Sequence, residues 1–197
     1  MKLFYAPPSP YARRCRILAR ELGLMGRVEE VFAIPYENPE DLLAVNPLAK
    51  IPALKEDDGT CWYDSAVINR RLLEVSGQGD SWPDLKGMQI EALVTGITDA
   101  GFWIVSENRR TDTDKPSAIW MDRWHDAIER SLVQLELLAA ELEGGFDIPA
   151  IGAAVALAYL DFRLPDIDWR ASCPALAAWY ENVSGRPSMQ DTIPENL

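Results

Sequence analysis

The stretch Asn46–Ser65, NPLAKIPALKEDDGTCWYDS, sets two short apolar runs on either side of an acidic turn, Asp57-Asp58-Gly59. Two β-type runs joined by a polar turn that carries glycine predict a hairpin. Pro52 cannot donate to a ladder, so it belongs at the entrance of the first strand or on an edge. A cis Ile51–Pro52 bond there would leave the Ile51 backbone open to something other than protein. Asp64-Ser65 then opens a helical run, Ala66 to Val75, whose first amides and positive dipole end suit an anion. A backbone edge able to take a peptide, beside a carboxylate site, fits a small, acidic, peptide-like ligand.

Upstream, Lys2 to Tyr5 reads as a strand that Pro7-Pro8 ends, and Ser9-Pro10 reads as the N-cap and first position of a helix. Ile17, Leu18, Leu22 and Leu24 give that helix its apolar stripe, with Arg13, Arg14, Arg16 and Arg20 spread around it. Val28 to Ile34 predicts a second strand, and Glu40 to Val45 a short helical piece after the loop at Pro35–Pro39. The order βαβαββα makes an α/β layer on a small mixed sheet.

The Gly/Ser-rich run from Ser76 to Ser81 marks a boundary. We place the first domain at 1–76, a linker at 77–84 and an all-helical domain at 85–197. Met88, Val94, Ile97, Gly101 and Ile104 predict one face of a long helix with Arg109-Arg110 at its end. Pro116 restarts a helix with the stripe Trp120, Trp124, Ile128, Leu135, Leu138 and Leu142, stopped by Gly144-Gly145. Asp147 caps the next helix, with Ile151, Val155, Tyr159 and Phe162 on one side. Pro174 starts the last, with Leu176, Trp179 and Val183, ending at Gly185.

A net charge of -12 argues against nucleic acid or an anionic membrane as a partner, since both need clustered Lys and Arg. Pro7-Pro8 interrupts any signal-peptide core, and no apolar run approaches the ~20 residues of a membrane helix. Cys15, Cys61 and Cys173 are odd in number and widely spaced, which suits reduced thiols in a cytoplasm. A single histidine, His125, argues against a structural zinc site, and we expect no metal.

NPLAKIPAL followed by Asp64-Ser65 resembles the NPxGKVPxL and E/D-S pair of the glutathione transferase superfamily. Ser9-Pro10-Tyr11-Ala12-Arg13-Arg14 is similar to its SPxxRK segment, and PALAAWYENVSGRPS (174–188) to its PxLxxWxxRxxxRPS ending. The likeness spans nearly the whole chain. It implies a thioredoxin-like first domain, a helical second domain and glutathione as co-substrate. The reaction it implies is addition of the glutathione thiolate to a small apolar electrophile, in a cytoplasmic homodimer with a detoxifying role. One departure is the helix at Asp147, where the family's Ser/Thr-x-x-Asp capping box has Ala150 in its last position.

The resemblance gives Ser9 the task of stabilising the thiolate, which a free thiol with a pKa of roughly 8.5 needs. A hydroxyl at a helix N-terminus favours the charged form. As a residue alone, Ser9 reads as a plain N-cap, and the functional role comes from the family motif. Tyr5 is the rival hydroxyl, and its other reading is a packed strand residue. By resemblance Ser65 and the helix amides hold the γ-glutamyl carboxylate, Asp64 its amino group, and Ile51 and Pro52 the cysteinyl part. Lys50 is the nearest cation for the glycyl carboxylate. The second substrate is expected between Tyr11 and the first long helix, at Phe102, Trp103 and Ser106. A glutathione-dependent reductase, isomerase or peroxidase, or a non-catalytic interaction module, stays open as an alternative. The absence of cysteine at position 9 departs from the thiol-disulfide exchanging members.

Overall fold

The computed structural model describes residues 1–112 and 115–197. The chain divides into two compact units, Met1–Trp82 with Arg186–Leu197, and Pro83–Gly185.

In the first unit the order is β1 (Lys2–Tyr5), α1 (Pro10–Glu21), β2 (Glu29–Phe32), a 3-10 turn at Pro35–Glu37 and α2 (Glu40–Leu43). It continues with β3 (Ala53–Lys55), β4 (Cys61–Trp62), α3 (Ser65–Val75) and a second 3-10 turn at Gly79–Ser81. The sheet order is β2-β1-β3-β4, with β1 parallel to β2 and antiparallel to β3, and β3 antiparallel to β4. This is the α/β layer on a small mixed sheet read from the sequence, in the thioredoxin-like arrangement that the resemblance implied.

Alternation sets the two faces of the sheet. Phe4 and its register partner Ala53 pack with Ala33, Leu42 and Val45 on one side. Leu3 and its partner Leu54, both fully buried, belong to the other side, where α1 and α3 pack. The hairpin turn closes as its residues dictate. Gly59 takes φ +90°, Asp58 accepts the Thr60 amide at 2.8 Å, and the Gly59 amide reaches the Glu56 carbonyl at 3.0 Å.

The tail from Arg186 to Leu197 groups with this first unit, whereas the sequence boundary ran the helical domain through to residue 197. The reason is long-range pairing. Arg186 grips the Glu21 carboxylate of α1 with bonds of 3.1 and 2.6 Å, and the Ser188 hydroxyl donates to the same group. Arg13 of α1 donates to the Met189 carbonyl at 3.1 Å and to the Thr192 hydroxyl at 3.3 Å. A short helix, Pro187–Gln190, forms there and was not anticipated. The linker predicted at 77–84 is the 3-10 turn and the junction at Trp82/Pro83.

In the second unit α4 (Leu85–Asn108) packs on α5 (Ala118–Leu137) and on α6 (Ile148–Arg163). A 3-10 segment (Ala139–Gly144), α7 (Trp169–Ser172) and α8 (Pro174–Ser184) complete it. Three stripes need correction. On α5 the buried residues are Ile128, Leu132 and Leu135, Trp120 is exposed, and Leu138 and Leu142 lie beyond the last residue of the helix, Leu137, at the 3-10 segment. On α4 the buried row is Ile90, Val94, Ile97, Gly101 and Ile104, while Met88 is exposed. At about 100° per residue Met88 stands well away from Val94, on another face. On α6 every residue from Ile148 to Leu160 is buried, so its apolar residues surround the axis. A helix apolar all round is a core helix. Asp147 caps it by accepting the Ala150 amide at 3.2 Å, the amide half of a capping box.

Candidate functional site at one end of the sheet

Register gathers the predicted site residues of the first unit. Because Phe4 pairs with Ala53, the end of β1 at Tyr5 lies beside Pro52 at the entrance of β3. Because Leu54 pairs with Trp62, the residues after β4, Tyr63 to Ser65, return to that same end. The chain leaving β1 turns through Ala6, whose carbonyl accepts the Ser9 amide at 3.0 Å. Ser9, Ile51-Pro52 and Asp64-Ser65 therefore share one end of the sheet, with the N-termini of α1 and α3. Two helix N-termini at one place favour negative charge.

Each group is held by its own local chemistry. Ser9 is the N-cap of α1, and its hydroxyl oxygen accepts the Ala12 amide at 3.2 Å. An acceptor role leaves the hydroxyl hydrogen for a further partner. Asp64 caps α3, its carboxylate accepting the Ala66 amide at 3.0 Å while the side chain stays exposed. Ser65, the first residue of α3, is buried. The Cys15 thiol donates to the Ser65 carbonyl at 3.6 Å, which ties α1 to the start of α3. Cys15 is thus a small buried group with a structural contact.

The Ile51–Pro52 bond is cis, and Pro52 is buried. A second cis bond, Tyr63–Asp64, precedes α3; the sequence had not signalled it. Lys50 is exposed and Ile51 half-buried.

Asn46 is the residue that sequence reasoning missed. It is buried, its amide donates to the Lys50 carbonyl at 2.8 Å, and its side-chain oxygen accepts the Leu48 amide at 3.0 Å. One side chain therefore shapes the loop that delivers Lys50 and Ile51. The signal was present, since an Asn-Pro start to a loop is typical of side-chain-built turns. Asn46→Ala should lower stability in urea unfolding by about 2 kcal/mol, two neutral hydrogen bonds at about 1 kcal/mol each.

Tyr5 is occupied. The Arg16 guanidinium stands 4.2 Å from its ring centroid, and Phe32 meets it edge-on at 6.4 Å. Arg16 and Arg20 both grip Glu30 of β2, Arg16 at 2.8 and 3.1 Å and Arg20 at 2.6 and 3.3 Å. Burial alone would raise the Glu30 carboxyl, but the bonds from Arg20 and Arg16 outweigh it and hold the group below the ordinary glutamate range.

Of the residues expected around a second substrate, Tyr11 is half-buried on α1 in the first unit. Phe102, Trp103 and Ser106 lie on the last two turns of α4 in the second, with Phe102 edge-on to Trp103 at 5.3 Å. His125 is half-buried in α5. Among the described residues no group of three or more His, Cys, Asp or Glu could hold a metal ion.

Comparison with known proteins agrees with this architecture. The model of the glutathione S-transferase N-terminal domain matches residues 8–75, and that of the C-terminal domain matches residues 118–182. A glutathione transferase family member from Pseudomonas fluorescens Pf-5, solved with bound glutathione, is 39% identical with a TM-score of 0.93, over 99% of each chain. A further structure from the same organism, with bound S-(propanoic acid)-glutathione, is 40% identical with a TM-score of 0.89, over 100% of each chain. The GST-like protein YibF of Escherichia coli (strain K12) is 33% identical over 98% of each chain. The three sequence signatures, the sheet with its helical companion unit and these relatives lead to one assignment: the chain belongs to the glutathione S-transferase superfamily.

Proposed function

We propose that this chain binds glutathione and conjugates its thiolate to small apolar electrophiles, with Ser9 as the activating hydroxyl. The observation that carries the reading is the meeting of Ser9, the cis Ile51–Pro52 entrance and Asp64-Ser65 at one end of the sheet, between two helix N-termini. The relatives solved with glutathione or a glutathione conjugate support it.

In this reading the γ-glutamyl carboxylate rests on Ser65 and the first amides of α3, and Asp64 faces its amino group. The Ile51 backbone pairs with the cysteinyl part, and Lys50 serves the glycyl carboxylate. The thiol proton leaves to water. The sulfur is then stabilised by the Ser9 hydroxyl hydrogen and by the dipole of α1. The thiolate pair forms the new C–S bond, and the pair of the broken bond departs with the leaving group. For an activated double bond that pair moves to carbon, which takes up a proton. The protein would act as a cytoplasmic homodimer, as members of this superfamily usually do.

Calorimetric titration with glutathione tests the site. We expect saturable binding, weakened roughly tenfold or more by Asp64→Asn, because asparagine keeps the helix cap and loses only the charge-assisted bond. A protein that binds no glutathione would be an interaction module built on this fold, and the reading would fall.

A further inference from the structure

The tail after Arg186 is bonded along one face of α1. Arg13, Ile17 and Glu21 stand four residues apart on that face, and Ile17 between the other two is fully buried. At one end the Arg13 guanidinium donates from Nε to the Thr192 hydroxyl at 3.3 Å and from Nη2 to the Met189 carbonyl at 3.1 Å. The Thr192 hydroxyl hands its own hydrogen to the Ser188 carbonyl at 2.8 Å. At the other end the Ser188 hydroxyl and the Arg186 guanidinium share the Glu21 carboxylate. Arg13, Ser188, Met189 and Thr192 are all buried, so little water is at hand to replace a lost bond.

The Arg13 end of this strap is the end of α1 that carries Ser9. The Arg13 amide donates to the Ser9 carbonyl at 3.0 Å, the first bond of the helix. Ser9 is held otherwise by its amide on the Ala6 carbonyl and by its hydroxyl under the Ala12 amide. Pro7, Pro8 and Pro10 around it have no amide to give, so the segment is poor in bonds of its own making. A first helical turn is also where a helix opens most readily. Arg13 meets that weakness, since its backbone holds Ser9 while its side chain is held by the tail. The later turns have other anchors, with Arg16 and Arg20 on Glu30.

We infer that the tail positions Ser9: Thr192 and the Met189 carbonyl fix Arg13, and Arg13 fixes the turn that aims the Ser9 hydroxyl. Arg13 and Thr192 are positioning residues, acting through Ser9 and not on the substrate. The inference rests on the transferase reading above and gives the tail a part in it. Misplacing an activating group by about 1 Å can cost two orders of magnitude in rate, so a small loosening at Arg13 is felt at the sulfur. The Glu21 end lies about 18 Å along the helix from Ser9 and serves stability alone.

Two readouts on the full-length protein test this, with Thr192→Val at the near end of the strap and Glu21→Gln at the far end. The first is amide hydrogen exchange without glutathione. Thr192→Val should speed the Ala12 and Arg13 amides roughly fivefold, the loss of one neutral hydrogen bond read as an opening equilibrium, and leave Leu22 and Gly23 unchanged. Glu21→Gln should do the reverse. Arg13→Lys, which gives up the two-pronged grip, should act like Thr192→Val, and Thr192→Ser should restore the original pattern. The second readout is the absorbance titration of the bound thiolate. Thr192→Val should cut the thiolate fraction at neutral pH about three- to tenfold, with kcat falling by the same factor and glutathione affinity held. Glu21→Gln should lower the urea midpoint and leave the thiolate where it was. Uniform acceleration along α1, or equal thiolate loss in both variants, would make the tail a general stabiliser and overturn the inference. So would faster exchange at Ala12 and Arg13 with an unmoved thiolate. If Ser9→Ala itself leaves the thiolate unmoved, the transferase reading of Ser9 falls, and exchange still decides whether the tail holds that turn.

Discussion

Replacing Ser9 by alanine should cut kcat/KM for conjugation by about 10- to 100-fold, the worth of one hydrogen bond to a charged group. The loss should fall on kcat, because the hydroxyl acts on the thiolate and contributes little to holding the rest of the peptide. A direct readout is the absorbance of the bound thiolate against pH. In the unsubstituted protein the bound thiol should titrate below its free value of roughly 8.5, and Ser9→Ala should move it back towards that value.

Geometry makes the effect separable from folding. Ser9 Oγ already accepts the Ala12 amide, so alanine also removes an N-cap, at a cost of about 1 kcal/mol. That part appears in urea unfolding and does not depend on glutathione. Tyr5→Phe is the companion variant. With the Tyr5 ring under Arg16 and against Phe32, we expect little change in the thiol titration. If Tyr5→Phe abolishes the shift and Ser9→Ala leaves it, activation belongs to the tyrosine.

What could be read from the sequence was local. The hairpin at 46–65 is specified by its turn, since Asp58 and Gly59 each do there what their types allow without help from distant residues. The caps at Ser9, Asp64 and Asp147 were legible for the same reason, because a cap bonds amides two or three residues away. The roles of the α1 arginines were not. Arg13, Arg14 and Arg16 are all buried, and Arg13 bonds across 176 and 179 positions to Met189 and Thr192. Periodicity reports which face a residue occupies and is silent on which distant segment covers it. The same blindness put the tail with the helical domain, since the bond from Arg186 to Glu21 spans 165 positions. The even burial of α6 was hidden differently. Its four marker residues fit one side, and only the small alanines between them reveal that neighbours approach from all directions.

Glu30→Ala should destabilise the first unit by about 3 kcal/mol, the lower end of the cost of removing one partner from a buried ion pair. Glu30 side-chain exposure is 16%, and those of Arg16 and Arg20 are 8% and 16%, so two guanidiniums would lose their shared carboxylate with little water to replace it. Arg20 keeps a longer contact to Asp191 at 3.9 Å, and Arg16 keeps the Tyr5 ring, so the loss falls short of the full range. The pH dependence follows from the direction of the shift. The folded Glu30 carboxyl lies below its unfolded value of ~4.3, so its contribution is complete above that value and is lost as pH falls through the folded one. Glu21 is lowered likewise, by Arg186 and Ser188 acting against burial, but it is untouched by a change at Glu30. Urea midpoints of the unsubstituted protein and Glu30→Gln, followed from pH 7 to pH 3, therefore isolate Glu30 by difference. The gap should be widest at neutral pH and should narrow below pH about 4. A constant gap would mean that the glutamine fails by its shape and not by its missing charge.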